Sequence, residues 1–232
     1  MTTCKQSGTI SDTNRMRNIN LKPFAYVIFA AFAICLILVA LVSGHKITDL
    51  KSALLVSYKT IPILLGLTWL FMSYGWRWGK LQGWLVPFPN LNGTWQGHIQ
   101  TTWKNPETGE IPRPIPVILT VKQSFSKISC VMRTAEMTSR SYLAGFWIDN
   151  DDQVRMLGYC YTSKPSTMVV DRSHPHDGTI TFEVVGKPVS KLKGTYWNDR
   201  KSTGEVTLSL RTTDHLDEYP QDIGEHPLSP KK

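Results

Sequence analysis

The sequence predicts a membrane-anchored all-β protein, in which two N-terminal transmembrane helices precede an eight-stranded antiparallel domain. Three observations predict it. Two apolar runs, 23–44 and 60–76, contain no charged residue. After residue 90 the apolar pattern changes to period two, in eight short runs rich in β-branched and aromatic residues. Turn-forming clusters separate these runs, and no amphipathic helical period interrupts them. The 232 residues leave room for one medium domain plus this appendage.

A helix rises about 1.5 Å per residue, so about 20 residues cross the hydrocarbon core. The first run meets that length and predicts a span at 23–43, after an N-terminal segment at 1–22. The second is shorter, and Trp69, Tyr74, Trp76, Trp78 and Trp84 supply an interfacial belt for a span at 60–78. A loop at 44–59 joins the spans, and a linker at 79–90 leads to the domain. A signal peptide has an apolar core of about 7–15 residues, and this longer run with a second behind it argues against cleavage. The net charge of +8 lies largely beside the spans. Arg15, Arg17, Lys22, Arg77 and Lys80 flank the ends that share a side, against Lys46, Lys51 and Lys59 in the loop. The positive-inside bias therefore places the domain in the cytoplasm and accounts for the charge without a nucleic-acid polymer as partner. Small residues four apart, Ala31 with Cys35 and Ala40 with Gly44, would let helices pack closely in a homo-oligomer.

The domain spans 91–213. Phe88-Pro89-Asn90-Leu91-Asn92-Gly93 forms its opening turn, and strands follow at 94–103, 115–123, 127–135, 141–148, 154–162, 179–185, 192–197 and 205–211. Clusters such as Asp149-Asn150-Asp151-Asp152 and His176-Asp177-Gly178 make the turns. Short strands at this spacing fit an antiparallel sandwich or an up-and-down barrel. Eight strands close a small barrel, and closure removes exposed edges, so the barrel is the predicted architecture. Parity assigns an inner face: Trp95, Ile99 and Trp103; Val117, Leu119 and Val121; Ile128, Cys130 and Met132; Leu143 and Trp147; Leu157, Tyr159 and Tyr161; Leu192 and Tyr196; Val206, Leu208 and Leu210. A slip of one residue would reverse any of these rows. The stretch 214–232 carries acidic residues with Pro220, Pro227 and Pro230 and no apolar period, and reads as a flexible tail.

The four cysteines, Cys4, Cys35, Cys130 and Cys160, show no C-x-x-C spacing and suggest neither a disulfide framework nor a zinc site. No phosphate-cradling glycine motif, H-E-x-x-H or nucleophile elbow occurs, which points away from an enzyme and from a resident cofactor. His174-Pro175-His176-Asp177, followed by Gly178, reads as a solvated turn rather than a metal site. A ligand reading has more support. Tyr159, Tyr161 and Tyr196 present rings and hydroxyls, Arg155 shares their parity, and Arg200 follows at a turn. Aromatic faces stack bases and arginine pairs with phosphate, although an aromatic core with surface arginines would give the same pattern.

Two spans followed by Leu91-Asn92-Gly93-Thr94-Trp95-Gln96-Gly97 resemble the two-transmembrane β-barrel effectors of bacterial cyclic-oligonucleotide-based antiphage signalling. Leu157-x-Tyr159-x-Tyr161 with Pro165, and Leu192-x-Gly194-x-Tyr196 leading to Arg200 and Gly204, extend the likeness over most of 21–211. The Gly-x-Trp opening is also similar to the first strand of lipocalins. The resemblance implies a lipocalin-like barrel that senses a cyclic di- or oligonucleotide made by a partner nucleotidyltransferase. It further implies that the activated chain self-associates in the bacterial inner membrane and disrupts the bilayer, killing the infected cell. Thr134, Ser141, Arg155, Tyr159, Tyr161, Tyr196 and Arg200 are then the candidate ligand-binding residues. A membrane-anchored carrier of a lipid or other apolar ligand is the alternative, and a ligand-free structural adaptor a third.

Overall fold

The computed structural model describes residues 22–43, 50–106, 108–149, 154–171 and 173–228. The N-terminal segment before residue 22, most of the expected turn at 149–152 and the last residues of the tail lie outside these.

Helix α1 is Lys22–Ser43 and helix α2 is Leu50–Ser73. Stretches Ala25–Ser43 and Leu54–Ser73 are long and apolar enough to cross a membrane. Their large side chains, among them Phe29, Leu41, Leu54, Ile61 and Leu65, are exposed, the reverse of a soluble core helix. The two helices pack along Cys35 on one side and Val56 and Thr60 on the other, all buried. Thr60 Oγ1 donates to the Val56 carbonyl at 2.8 Å, which satisfies its hydroxyl inside the turn.

Helix α2 begins ten residues before the expected span. The sequence pattern assigns Lys51 and Lys59 to the loop, but Leu50–Lys59 is rich in good helix formers, and lysine is one of them. Charge marks where the apolar stretch begins, not where the helix begins. Trp76 also departs from the expected interfacial belt. It is fully buried, 6.0 Å from the Phe88 ring, with the Arg77 guanidinium over its face at 5.5 Å.

Among the described residues eight strands close one antiparallel barrel in chain order. They are β1 (Gly93–Thr101), β2 (Ile115–Gln123), β3 (Ile128–Arg133), β4 (Met137–Asp149), β5 (Val154–Pro165), β6 (His176–Val185), β7 (Lys191–Asn198) and β8 (Thr203–Thr212). The β1–β8 ladder, from Thr94↔Thr212 to Thr101↔Gly204, closes the sheet and leaves no strand edge open.

Most of the parity assignment holds: Trp95, Val117, Leu119, Val121, Cys130, Met132, Leu157, Tyr159, Tyr161, Leu192, Val206 and Leu208 are buried in one core. Strand β4 is the exception. Its pairing with β5 shifts between Ser141 and Leu143, so Tyr142 and Leu143 both face outward and every later residue changes side. Ala144 and Phe146 take the inward places, while Leu143 and Trp147 are 66% and 58% exposed. Trp103 lies beyond the end of β1 and Leu210 opposite the shift at Thr94/Trp95, and both are partly exposed.

Residues 214–228 are laid along the outer wall of β1, β2 and β3, where the sequence suggested a loose tail. Thr94 and Thr120 donate to the carbonyls of Asp214 and Leu216 at 2.7 and 2.8 Å. Arg133 reaches the Leu216 carbonyl, and Arg211 pairs with Asp222 at 2.8 Å. His226 meets Glu136 at 3.2 Å near the far rim. Ile118 points outward from β2, yet it is fully buried under this strap.

Candidate functional site

The barrel has two unlike ends. The end that receives the linker from α2 is closed by Leu91, whose amide donates to Gln123 Oε1 at 2.8 Å and whose carbonyl accepts from Trp95 Nε1 at 2.9 Å. Gln123 Nε2 donates to the Pro89 carbonyl, and Asn92 clasps the Gln123 backbone. Gly93 stands at φ 127°, a backbone conformation a side chain would strain. The Leu-Asn-Gly-Thr-Trp stretch is thus the floor of the barrel. Above it the axis is filled by Trp95, Leu157, Phe182, Leu192 and Leu208.

The opposite end is polar. Inward residues there include Ser139 and Ser163, whose hydroxyls bond at 2.9 Å, together with Tyr161, His176 and Tyr196. A file of rings runs up the axis to meet them: Phe182 to Tyr159 at 6.2 Å, Tyr159 to Tyr161 at 6.1 Å and Tyr161 to His176 at 6.2 Å, the last two edge to face. The rings find room because glycines stand opposite them across the strands. Gly178 pairs with Tyr161, and a Cβ there would meet the Tyr161 Cζ at 2.6 Å. Gly204 pairs with Tyr196 and would meet its ring in the same way.

Arg200 brings a cation to this end. From the β7–β8 turn its Nη1 donates to Ser173 Oγ at 3.1 Å and to the His174 carbonyl at 3.5 Å. His176 Nδ1 also donates to that carbonyl, at 3.2 Å. Burial, aided by Arg200, holds the His176 imidazole below its ordinary pKa. Burial lifts Tyr159 well above the usual phenol value and raises Tyr161 and Tyr196; a hydrogen bond to Thr101 and the charge of Arg200 oppose it at Tyr196. At neutral pH the mouth therefore offers neutral rings, hydroxyls that both donate and accept, and the Arg200 guanidinium. That set suits a planar aromatic ring carrying a negative group. Deeper in, burial pushes the Cys130 thiol up to about 12, so it behaves as a small apolar core residue.

The seven candidate residues divide. Tyr161, Tyr196 and Arg200 come together at this end, with Tyr159 buried one step below Tyr161 in the file of rings. Arg155 does not join them, because β5 begins at the floor; its Nη2 donates to the Gly186 carbonyl at 3.0 Å in the β6–β7 turn. Ser141 Oγ accepts the Cys130 amide at 2.9 Å beside the β4 shift, a ladder repair. Thr134 Oγ1 accepts from the amides of Glu136 and Met137 in the β3–β4 turn, at the rim. Ser163 and His176 also line this end and are not among the seven candidates. Ser163 continues the Tyr159-x-Tyr161 row by parity, so the signal was present; it pairs with His176, which opens β6 buried rather than in a solvated turn.

No curated protein matches the chain in sequence. Residues 86–210 match the family described as Cap15, cyclic dinucleotide receptor domain, from the last linker residues into β8. Because that match covers more than half of the chain and takes in the floor, all eight strands and the polar mouth, the protein belongs to the Cap15 cyclic dinucleotide receptor family.

Proposed function

We propose that this protein is a membrane-anchored sensor and effector of antiphage signalling, whose barrel binds a cyclic dinucleotide at the mouth remote from the helices. The observation that carries the reading is the segregation of polarity along the barrel axis. A closed floor and a ring-filled middle give way to a mouth with Tyr161, Tyr196, His176 and Arg200. A lipid carrier needs a continuous aliphatic channel, and here Trp95, Tyr159 and Phe182 occupy its path. Bases would stack on the mouth tyrosines, and a phosphodiester would compete with the His174 carbonyl for Arg200.

The two apolar helices anchor the chain in the bacterial inner membrane with the barrel on the cytoplasmic side, following the positive-inside bias. A ligand that binds single and associated chains equally would shift nothing. The nucleotide therefore acts by binding the self-associated form more tightly, and the gathered helices then disrupt the bilayer.

The test is a thermal-stability screen of the full chain in detergent micelles against the 3′,5′-linked cyclic dinucleotides. Binding to the folded state raises the melting temperature by mass action. One or a few members should stabilise the wild type, Arg200→Ala should abolish the effect, and Arg155→Ala at the far end should leave it intact. Stabilisation by fatty acids and by no cyclic dinucleotide would install the carrier reading instead.

A further inference from the structure

The outer wall carries a second polar concavity at the same rim. A groove of about 410 Å³ opens between the β3–β4 turn and the end of β5, with Thr134, Thr138, Arg140, Lys164 and Ser166 in its lining. That volume falls in the range of small-ligand sites, about 300–1,000 Å³.

The register fixes its two cations. Arg140 pairs with Thr162, and Thr138 with Lys164, so Arg140 and Lys164 are diagonal neighbours on one face of the β4–β5 ladder, about 7–8 Å apart at their roots. That face is the outer one, since Ser139, Tyr161 and Ser163 between them face the interior. Both cations are exposed, and among the described residues no ion pair engages either. The carboxylate in the lining, Glu136, is instead held by His226 of the strap, with both side chains nearly buried. Asp177, which accepts from Thr162 Oγ1 at 2.7 Å, is a further acid near this wall, with Asp199 beside it.

The geometry points to this groove as an anion subsite in which Arg140 and Lys164 grip a phosphodiester of the cyclic dinucleotide. Arg140 supplies a two-pronged planar donor, Lys164 a compact point charge, and Thr138 and Ser166 add hydroxyls. The subsite rests on the proposed sensing role and gives it a second handhold. A cyclic dinucleotide has two phosphodiesters, and Arg200 at the mouth answers only one.

Full chain in detergent micelles would be compared with Arg140→Gln/Lys164→Gln, a surface change expected to leave the melting temperature without ligand essentially unchanged. Affinity for the stabilising cyclic dinucleotide should fall by about tenfold or more, with a shallower dependence on salt. Inorganic pyrophosphate gives a readout independent of the sensing role: it should raise the melting temperature of the wild type and not of the variant. Unchanged nucleotide affinity in the variant overturns the subsite while leaving the sensing role standing. If no cyclic dinucleotide binds the wild type, the sensing role fails, and the pyrophosphate comparison decides the groove: a shift in the wild type alone upholds it, and equal responses overturn it.

Discussion

The Tyr161 ring sits where a Cβ on Gly178 would have to be, with the Trp197 carbonyl closing the other side at 2.8 Å. Gly178→Ala must therefore move the ring or the strand. Overpacking of this kind costs about 1–3 kcal/mol, and a melt of the variant should show that loss, whereas an unchanged melt would mean that the ring has free space beside it. His176 makes a prediction of a different kind. Its folded pKa is depressed, chiefly by burial and then by Arg200, so the unfolded chain binds the extra proton first as pH falls through about 6.5. This contribution is present in full above that value and is lost below it. The melting temperature of the wild type should thus decline more steeply with acid than that of His176→Gln, and parallel declines would rule out the histidine as a source. The tyrosine row and Arg200 were legible because strand parity and motif order carry them. His176 was not, because a histidine beside proline, aspartate and glycine has the composition of a turn. Only its register opposite Ser163 shows that it is walled in.

Strand β4 shows what a strand hides from its own sequence. The eight strands could be read from alternation, but one extra residue at Tyr142 reverses the phase, and nothing local announces it because Leu143 and Trp147 are as apolar as Ala144 and Phe146. The hydrogen bond from the Cys130 amide to Ser141 Oγ marks the position only in three dimensions. The strap misled for a related reason. A segment that lies over the outside of a barrel needs no period of its own, since it is held by its backbone carbonyls and by Asp217 and Asp222 on Lys122 and Arg211. Its contribution can be measured by deleting residues 214–232. That change uncovers Ile118 and strips Thr120 and Arg133 of the Leu216 carbonyl. Burial of one isoleucine side chain stabilises by about 1.5–3 kcal/mol, so the truncated chain should melt several degrees lower and be cut faster by protease. Equal stability would mean that the strap adds nothing to the fold.

At the scale of the whole molecule, the barrel and the helices meet through four phenylalanines. Phe71 near the end of α2 lies 5.6 Å from Phe125 in the β2–β3 turn; Phe125 lies 5.7 Å from Phe88; and Phe88 stacks at 5.8 Å on Phe146, inside the barrel. Phe146 is inward only because of the shift in β4, the strand that also borders the Arg140 groove. Aromatic pairs of this kind contribute about 0.5–1.5 kcal/mol each beyond the area they bury. The file is therefore strong enough to bias how the barrel sits on its helices without locking it. Phe125 is the link that can be removed from outside the core, since it stands in a turn. Phe125→Ala should bind a cyclic dinucleotide with the affinity of the wild type, because both proposed sites, the mouth and the groove, are at the other end. Under the proposed bilayer disruption, the same variant in liposomes should release less trapped dye on addition of that nucleotide. Equal binding with equal release would show that the ring file does not couple the two parts, and that the covalent linker from Gly75 to Val86 carries the response alone.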